Sequence, residues 1–332
     1  LEEAMNIRAP RALAAAMALL CALTLPAAAQ DWTPDRPVRI VVPFPPGGAT
    51  DLIARLFADR ISRDLPQRWV VENRSGANGN IGMAHVAQSA PDGLTLGACT
   101  IGNCAINPSI YARMPFDLER DLVPVFWSGS VMNTLVVRPD HPARDFQGFV
   151  AWARQQGPAA SFSSSGFGAS NHLLGEFLNG RLGLTMTHVP FRGGAPGMQA
   201  VMQGATSMFF ENVPTVIGAI RGNLLRPLVV SGRERDPSLP DVPTLAEAGL
   251  PDAVIEPWFG YMAPRGTPPA IVARLNGFFE AANRDPALRA RLAELGARPE
   301  GGPPERFAAH VQSELARWRQ VVEQNRIERI TE

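Results

Sequence analysis

Val38-Arg39-Ile40-Val41-Val42-Pro43-Phe44-Pro45-Pro46-Gly47-Gly48-Ala49-Thr50-Asp51 is the stretch from which the rest of the chain is read. Val38, Ile40, Val41 and Val42 make a short apolar run rich in β-branched residues, the mark of a buried strand. Pro43, Pro45 and Pro46 end it, because each lacks an N–H and fixes φ. Gly47 and Gly48 permit conformations and close approaches that a Cβ would block, and Gly48 is expected where backbone meets a ligand or takes φ > 0. Thr50 or Asp51 can cap a helix whose apolar face is Leu52, Ile53, Leu56, Phe57 and Ile61. The exposed N–H groups of such a helix start bind anions, with the helix dipole behind them. Taken alone, a Gly-Gly turn of this kind also serves as a plain connection. It lacks the Lys of a Walker A loop and is not G-x-G-x-x-G, so no nucleotide is implied.

Outward from this stretch, 332 residues allow a large core and two domains, and 45% hydrophobic with 19% charged residues is a globular composition. The net charge is zero and no lysine or basic tract occurs, which argues against nucleic acid and anionic membrane surfaces. At the N-terminus Met5 is the expected start. Arg8 and Arg11 precede an apolar segment, Ala12 to Leu25, too short and alanine-rich for a membrane span. Pro26 breaks it, and Ala27-Ala28-Ala29 before Gln30 fits small-x-small cleavage, so residues 1–29 are expected to be a signal peptide cut after Ala29. Cys21 is no lipobox, since Leu20 precedes it. Cys99 and Cys104 then remain; a disulfide and two buried thiols are both open, and no His or second Cys pair stands close enough for zinc.

Strand and helix signals alternate onward from Trp69. Polar glycine loops follow the strands at Asn73–Asn80, Thr100–Asn107, Ser165–Ser170 and Phe191–Gly194. The βαβα rhythm argues for an α/β protein with mostly parallel sheets covered by helices on both faces. A second unit starts near Pro139, and Val254 to Met262 returns to the first. The expected division is lobe 1 over residues 30–138 plus 258–332 and lobe 2 over 139–257. In open α/β sheets, ligands bind at loops on the C-terminal ends of strands. Two such lobes joined by two crossing strands would face their loops across a cleft suited to a small anion or polar acid.

Seven motifs occur in order: V-V-P-F-P-P-G-G-A-T-D, V-V-E-N-R-S-G-A-N-G-N-I-G, S-A-P-D-G-L-T-L, A-I-N-P-S-I-Y-A-R-M-P-F-D, H-V-P-F-R-G-G-A-P, L-P-D-V-P-T-L-A-E-A-G-L-P and A-P-R-G-T-P-P-A-I-V-A-R-L-N. From Trp32 onward the chain resembles the substrate-binding proteins of tripartite tricarboxylate transporters, often called the Bug family. The resemblance implies a type II periplasmic binding fold, a periplasmic location, a small carboxylic acid (a di- or tricarboxylate, amino acid or aromatic acid) in the cleft, membrane transporter subunits as partners, and a monomer. It implies that loops Pro43–Asp51 and Ser163–Ser170 hold one carboxylate, with contacts from Gly102–Cys104 and from Glu211-Asn212. Glu211 stands where the family usually has Asp, Arg192 where Lys is common, and Asn103-Cys104 where Thr-His is frequent.

The candidate ligand residues are therefore Phe44, Gly48, Ala49, Thr50, Asp51, Gly102, Asn103, Ser163, Ser165, Gly166, Gly168, Ser170 and Asn212. Asp51 serves better as a helix cap than as a ligand contact, because it would repel an anion. His172 reads as a hydrogen-bonded helix-face residue, and Trp258 and Phe259 as core. An enzyme is not expected: there is no G-x-S-x-G elbow, no H-E-x-x-H, and the histidines are scattered, so no cofactor or metal is expected either. A periplasmic sensor subunit that signals to a membrane receptor would need the same fold.

Overall fold

The computed structural model describes residues 32–324 and 329–330. The signal peptide expected over 1–29 lies outside the described residues. From Pro34 onward the chain forms one compact unit. Among the described residues, no helix is long and apolar enough to cross a membrane.

Two five-stranded sheets make the frame. The first holds β1 (Val38–Val42), β2 (Trp69–Asn73), β3 (Thr95–Thr100), β4 (Leu122–Ser130) and β10 (Trp258–Pro264), in the order β2-β1-β3-β10-β4. The second holds β5 (Asn133–Val137), β6 (Ser161–Ser164), β7 (Thr187–Pro190), β8 (Met208–Asn212) and β9 (Arg226–Val230), in the order β7-β6-β8-β5-β9. In both, the first three strands run parallel and the fourth is antiparallel to its neighbours. That fourth strand, β10 or β5, is the one that has just arrived from the other lobe.

Here the structure differs from the expected division at residue 138. The chain leaves the first sheet after Ser130, and β5 pairs with β8 and β9. β5 therefore belongs to lobe 2, although its buried Val-rich run fits either sheet equally well. The return to the first sheet is at Trp258.

The main helices are α1 (Ala49–Ile61), α2 (Asn80–Ala87), α3 (Phe146–Gln156), α4 (Ser170–Leu182), α5 (Gly194–Met202), α6 (Val213–Arg221), α7 (Pro269–Asn283), α8 (Pro286–Glu294) and α9 (Pro304–Gln324). α1 buries Ile53, Ala54, Phe57 and Ile61. Phe57 meets Phe126, Tyr261 and Phe279 edge-on, and that cluster joins α1 and α7 to the first sheet. The core of the second lobe is built around Phe149, Phe162, Leu174, Leu178 and Phe210, all fully buried.

Two local expectations change. The N-cap of α1 is Gly48, not Thr50 or Asp51. Asp51 sits in the third helical position and reaches back to accept the N–H of Gly47, the residue before the N-cap, at 3.0 Å. Thr100–Asn107, expected as a loop, instead winds into a π-helical turn, Gly102–Ile106. Asn103 Oδ1 accepts the Thr100 N–H at 2.7 Å, and a disulfide joins Cys99 to Cys104 across the turn.

Candidate functional site

Residues from both lobes line a cavity of ≈ 50 Å³. What distinguishes it is the number of helix starts that reach it. Gly48, Ala49 and Thr50 come from the start of α1, and Ala169, Ser170 and Asn171 from that of α4. Gly194 opens α5, and Asn212 precedes α6. None of these four helices has a side-chain cap from its own N-cap residue. Four positive dipole ends thus converge on one small space, although the first N–H of α6, Val213, is already given to Met132 O and Pro214 has none. Among the described residues no arginine lines the cavity, so positive potential there comes from backbone.

The α1 terminus finds its acceptor in the other lobe. Ala49 N–H donates to Thr215 Oγ1 of α6 at 3.0 Å, and this hydroxyl donates in turn to Glu211 Oε1 at 3.1 Å. Glu211 is 1% exposed at the end of β8. Its other side-chain donors are Asn212 Nδ2 to Oε1, and Ser165 Oγ and Asn171 Nδ2 to Oε2, each at 3.1 Å, and the Asn212 backbone N–H donates to it as well. Burial pushes its pKa up to about 7 against the pull of these hydrogen bonds. Gly194 is glycine because of this carboxylate: a Cβ there would lie 2.7 Å from Glu211 Oε1.

Of the residues expected from sequence, Phe44, Gly48, Ala49, Thr50, Gly102, Ser165, Ser170 and Asn212 line the cavity, and five do not. Asp51 is turned away from it: its carboxylate takes both Arg55 Nε and Nη2, Asn73 Nδ2 and the Gly47 N–H. Burial opposes its charge, but these bonds outweigh burial and hold its pKa below the ordinary value. Asn103 is spent on the Thr100 turn. Ser163 faces the lobe 2 interior, where it meets Thr206 Oγ1 at 2.7 Å and donates to Gly197 O. Gly166 and Gly168, with φ of 129° and 79°, shape the loop behind Ser165 without reaching the cavity. Gly48, expected either to meet a ligand or to take positive φ, lines the cavity at φ −81°, and the positive φ falls on Gly47, at 87°.

Sequence reasoning passes over Asn78, Asn171, Gly194 and Phe259 as lining residues. Asn78 and Gly194 lie in two of the polar glycine loops already noted, so the same strand-end rule extends to them. Asn78 takes φ 47° and is held by Asn107 Oδ1 at 2.9 Å. Phe259, expected in the core, is at 4% exposure both buried and at the cavity wall. The Thr215 bridge joins two lobes, and no local pattern announces it.

One other polar cluster stands outside the cavity among the described residues: His172, Glu176 and His188, whose ligating atoms lie within 4.8 Å of one another. His172 Nδ1 accepts the Gly168 N–H at 3.3 Å. The proton of the neutral ring then sits on Nε2, the nitrogen that faces Glu176, and leaves no lone pair there for a metal. Burial, with the neighbouring His188, brings the His172 pKa down to about 3, and burial brings that of His188 to about 4, so both rings are neutral. They pack with Phe167 as a ring cluster.

A two-lobed α/β frame with a small polar cavity between strand-end loops defines a solute-binding protein. The chain belongs to the family described as tripartite tricarboxylate transporter family receptor, which matches residues 53–327. It is 36% identical over 323 residues to the UPF0065 protein in the tcbD-tcbE intergenic region of Pseudomonas sp. (strain P51), covering 97% of this chain and 96% of that one. Among solved structures it is similar to R. palustris Rpa4515 with adipate, at 36% identity and TM-score 0.87, covering 90% of this chain and 100% of that one. It is also similar to MatC from Rhodopseudomonas palustris with bound malate, at 35% identity and TM-score 0.82, covering 87% of this chain and 99% of that one.

Proposed function

We propose that this protein is a periplasmic receptor that captures a small carboxylic acid in the cleft and delivers it to membrane transport subunits. The observation that carries the reading is the convergence on one cavity of four helix starts, none of them capped by its own N-cap side chain. Each terminus favours an anion by roughly 0.3–1 kcal/mol, and more when partly buried. Directed N–H and hydroxyl bonds to a charged group add roughly 1.5–3 kcal/mol each. The neighbours that hold adipate and malate support the same ligand class. In this reading the ligand carboxylate lies against Gly48, Ala49 and Thr50 on one side and Ser165, Ser170 and Asn171 on the other, with Phe44 and Gly102 flanking it. The ligand is bound and released unchanged: among the described lining residues, Glu211 alone has a carboxyl, imidazole, thiol or amine. The leader expected over residues 1–29 supplies the export that a periplasmic receptor needs.

The test is a thermal-shift screen with malate, adipate and other mono-, di- and tricarboxylates, alongside their amides, sugars and simple cations. A ligand at about 100 times its Kd stabilises the fold by about 2.7 kcal/mol, which raises Tm by several degrees. At least one acid is expected to give that shift and its amide is not. A shift from a sugar or a cation, with none from any acid, overturns the assignment.

A further inference from the structure

Glu211 is a carboxylate built into the wall of a cavity that we read as a carboxylate site. Every side chain facing it is uncharged: Thr134 beside it on β5, Ser165 from the loop after β6, Asn171 from α4, and Asn212 and Thr215 at the start of α6. Gly194 of α5 lets the carboxylate lie against backbone. Among the described residues no cationic side chain lines the cavity to offset a second negative charge, and Glu211 lines the same small cavity as the helix starts that face the ligand. Two buried carboxylates that share one small site do not both stay ionised.

We propose that Glu211 couples ligand capture to the uptake of one proton, so that the cleft closes on an ionised acid beside a neutral Glu211. This rests on the carboxylate reading of the cleft. The proton comes from bulk water on closure and returns to it on release, and no bond of the ligand is made or broken. The hydrogen bonds around Glu211 accommodate either state. The hydroxyls of Ser165 and Thr215 donate to the ionised carboxylate, and the Ser165 hydroxyl can turn to accept from the neutral acid. The amide groups of Asn171 and Asn212 continue to donate to its oxygens. Burial, opposed by these hydrogen bonds, already raises its pKa to about 7. A ligand charge placed next to it shifts the balance further toward the neutral acid. The coupling also makes Glu211 a selector: charge is tolerated in proportion to how readily this one proton is taken up, so a ligand presenting a single carboxylate to this wall is favoured over one presenting two.

The experiment is calorimetry of the mature protein with malate and with adipate, in two buffers of different ionisation enthalpy, from about pH 6.5 to about pH 8.5, where aliphatic acids are ionised. The wild type is expected to take up at most ~0.5 proton per ligand near pH 7, rising toward one in mild alkali, with Kd weakening by up to about tenfold per pH unit there. Glu211→Gln is expected to take up none and to show a flat Kd. If that variant does not fold, Ser165→Ala removes one bond that favours the ionised form, and the Kd–pH curve should move to higher pH. Binding without proton uptake, or the same uptake in Glu211→Gln, overturns the inference and leaves the carboxylate reading intact. Absence of binding by every acid overturns that reading, and this one with it.

Discussion

The buried carboxyl of Glu211 also governs how the fold itself responds to pH, before any ligand is added. Its pKa in the folded chain is about 7, above the ordinary 4.5, because burial penalises the charge. A raised acid binds more protons folded than unfolded. Its contribution to stability is therefore complete below the ordinary value and is lost as pH rises through about 7. Asp51 has the opposite sign: its lowered pKa stabilises above the ordinary value and fails only in acid, outside this window. A tenfold change in proton affinity corresponds to about 1.4 kcal/mol, so the loss on going to mildly alkaline pH amounts to a few degrees of Tm for a chain of this size. Glu211→Gln cannot ionise and should flatten the fall of Tm between about pH 5 and about pH 8. Parallel Tm–pH curves for variant and wild type would mean that Glu211 is not the titrating group.

Among the secondary-structure elements, α1 is unusual in finding its cap in another lobe. The Ala49 N–H is buried, and its acceptor is the hydroxyl of Thr215 on α6. Thr215→Val keeps the shape but leaves that N–H and Glu211 Oε1 each short of a partner. A lost cap costs about 1 kcal/mol and a stranded buried donor about 1–3 kcal/mol, so Tm should fall by several degrees. Thr215→Ser retains the hydroxyl and should stay close to wild type; equal losses in both would assign the effect to packing. The same elements show what is legible in the chain. β1, its proline stop, the glycine loop and α1 can be read from Val38 to Asp51, since β-branched runs, prolines and helical spacing act locally. The strand-end glycine loops point to the region that the cavity occupies. The role of Asp51 escapes a linear reading because it acts from the third helical position, which a search for a preceding Asp or Thr does not separate. The Thr100–Asn107 turn looks like a loop because its winding depends on Asn103 and on the Cys99–Cys104 bond. The Thr215 bridge and the lobe of β5 depend on which distant strands pair, and strand periodicity carries no such information.

At the scale of the whole binding unit, the two sheets repeat one plan, and each lends the other its antiparallel fourth strand through a crossing at 131–132 or at 231–257. Few connections and a shared cleft describe a pair of lobes that part to admit a ligand and close on it. The contacts across the cleft mouth allow this to be tested directly. A Cβ built on Gly47 of lobe 1 would lie 3.7 Å from the Cβ of Ala195 in α5 of lobe 2. That is close to the ~3.8 Å separation found in disulfides. Gly47 has φ 87°, so a Cys there carries a left-handed backbone cost of roughly 1–2 kcal/mol, small beside the constraint of a formed bond. The double variant Gly47→Cys with Ala195→Cys should therefore oxidise and hold the lobes closed. Oxidised without ligand, it should lose the thermal shift given by whichever acid binds the wild type, and mild reduction should restore it. Oxidised with that acid present, it should retain the acid through dialysis. The Cys99–Cys104 disulfide is buried, and wild type carried through the same reduction controls for it. If the locked protein, with its bond confirmed by mass, still takes up the acid at the wild-type rate, entry does not require the lobes to part, and the path must instead run through a lobe or along a mobile loop.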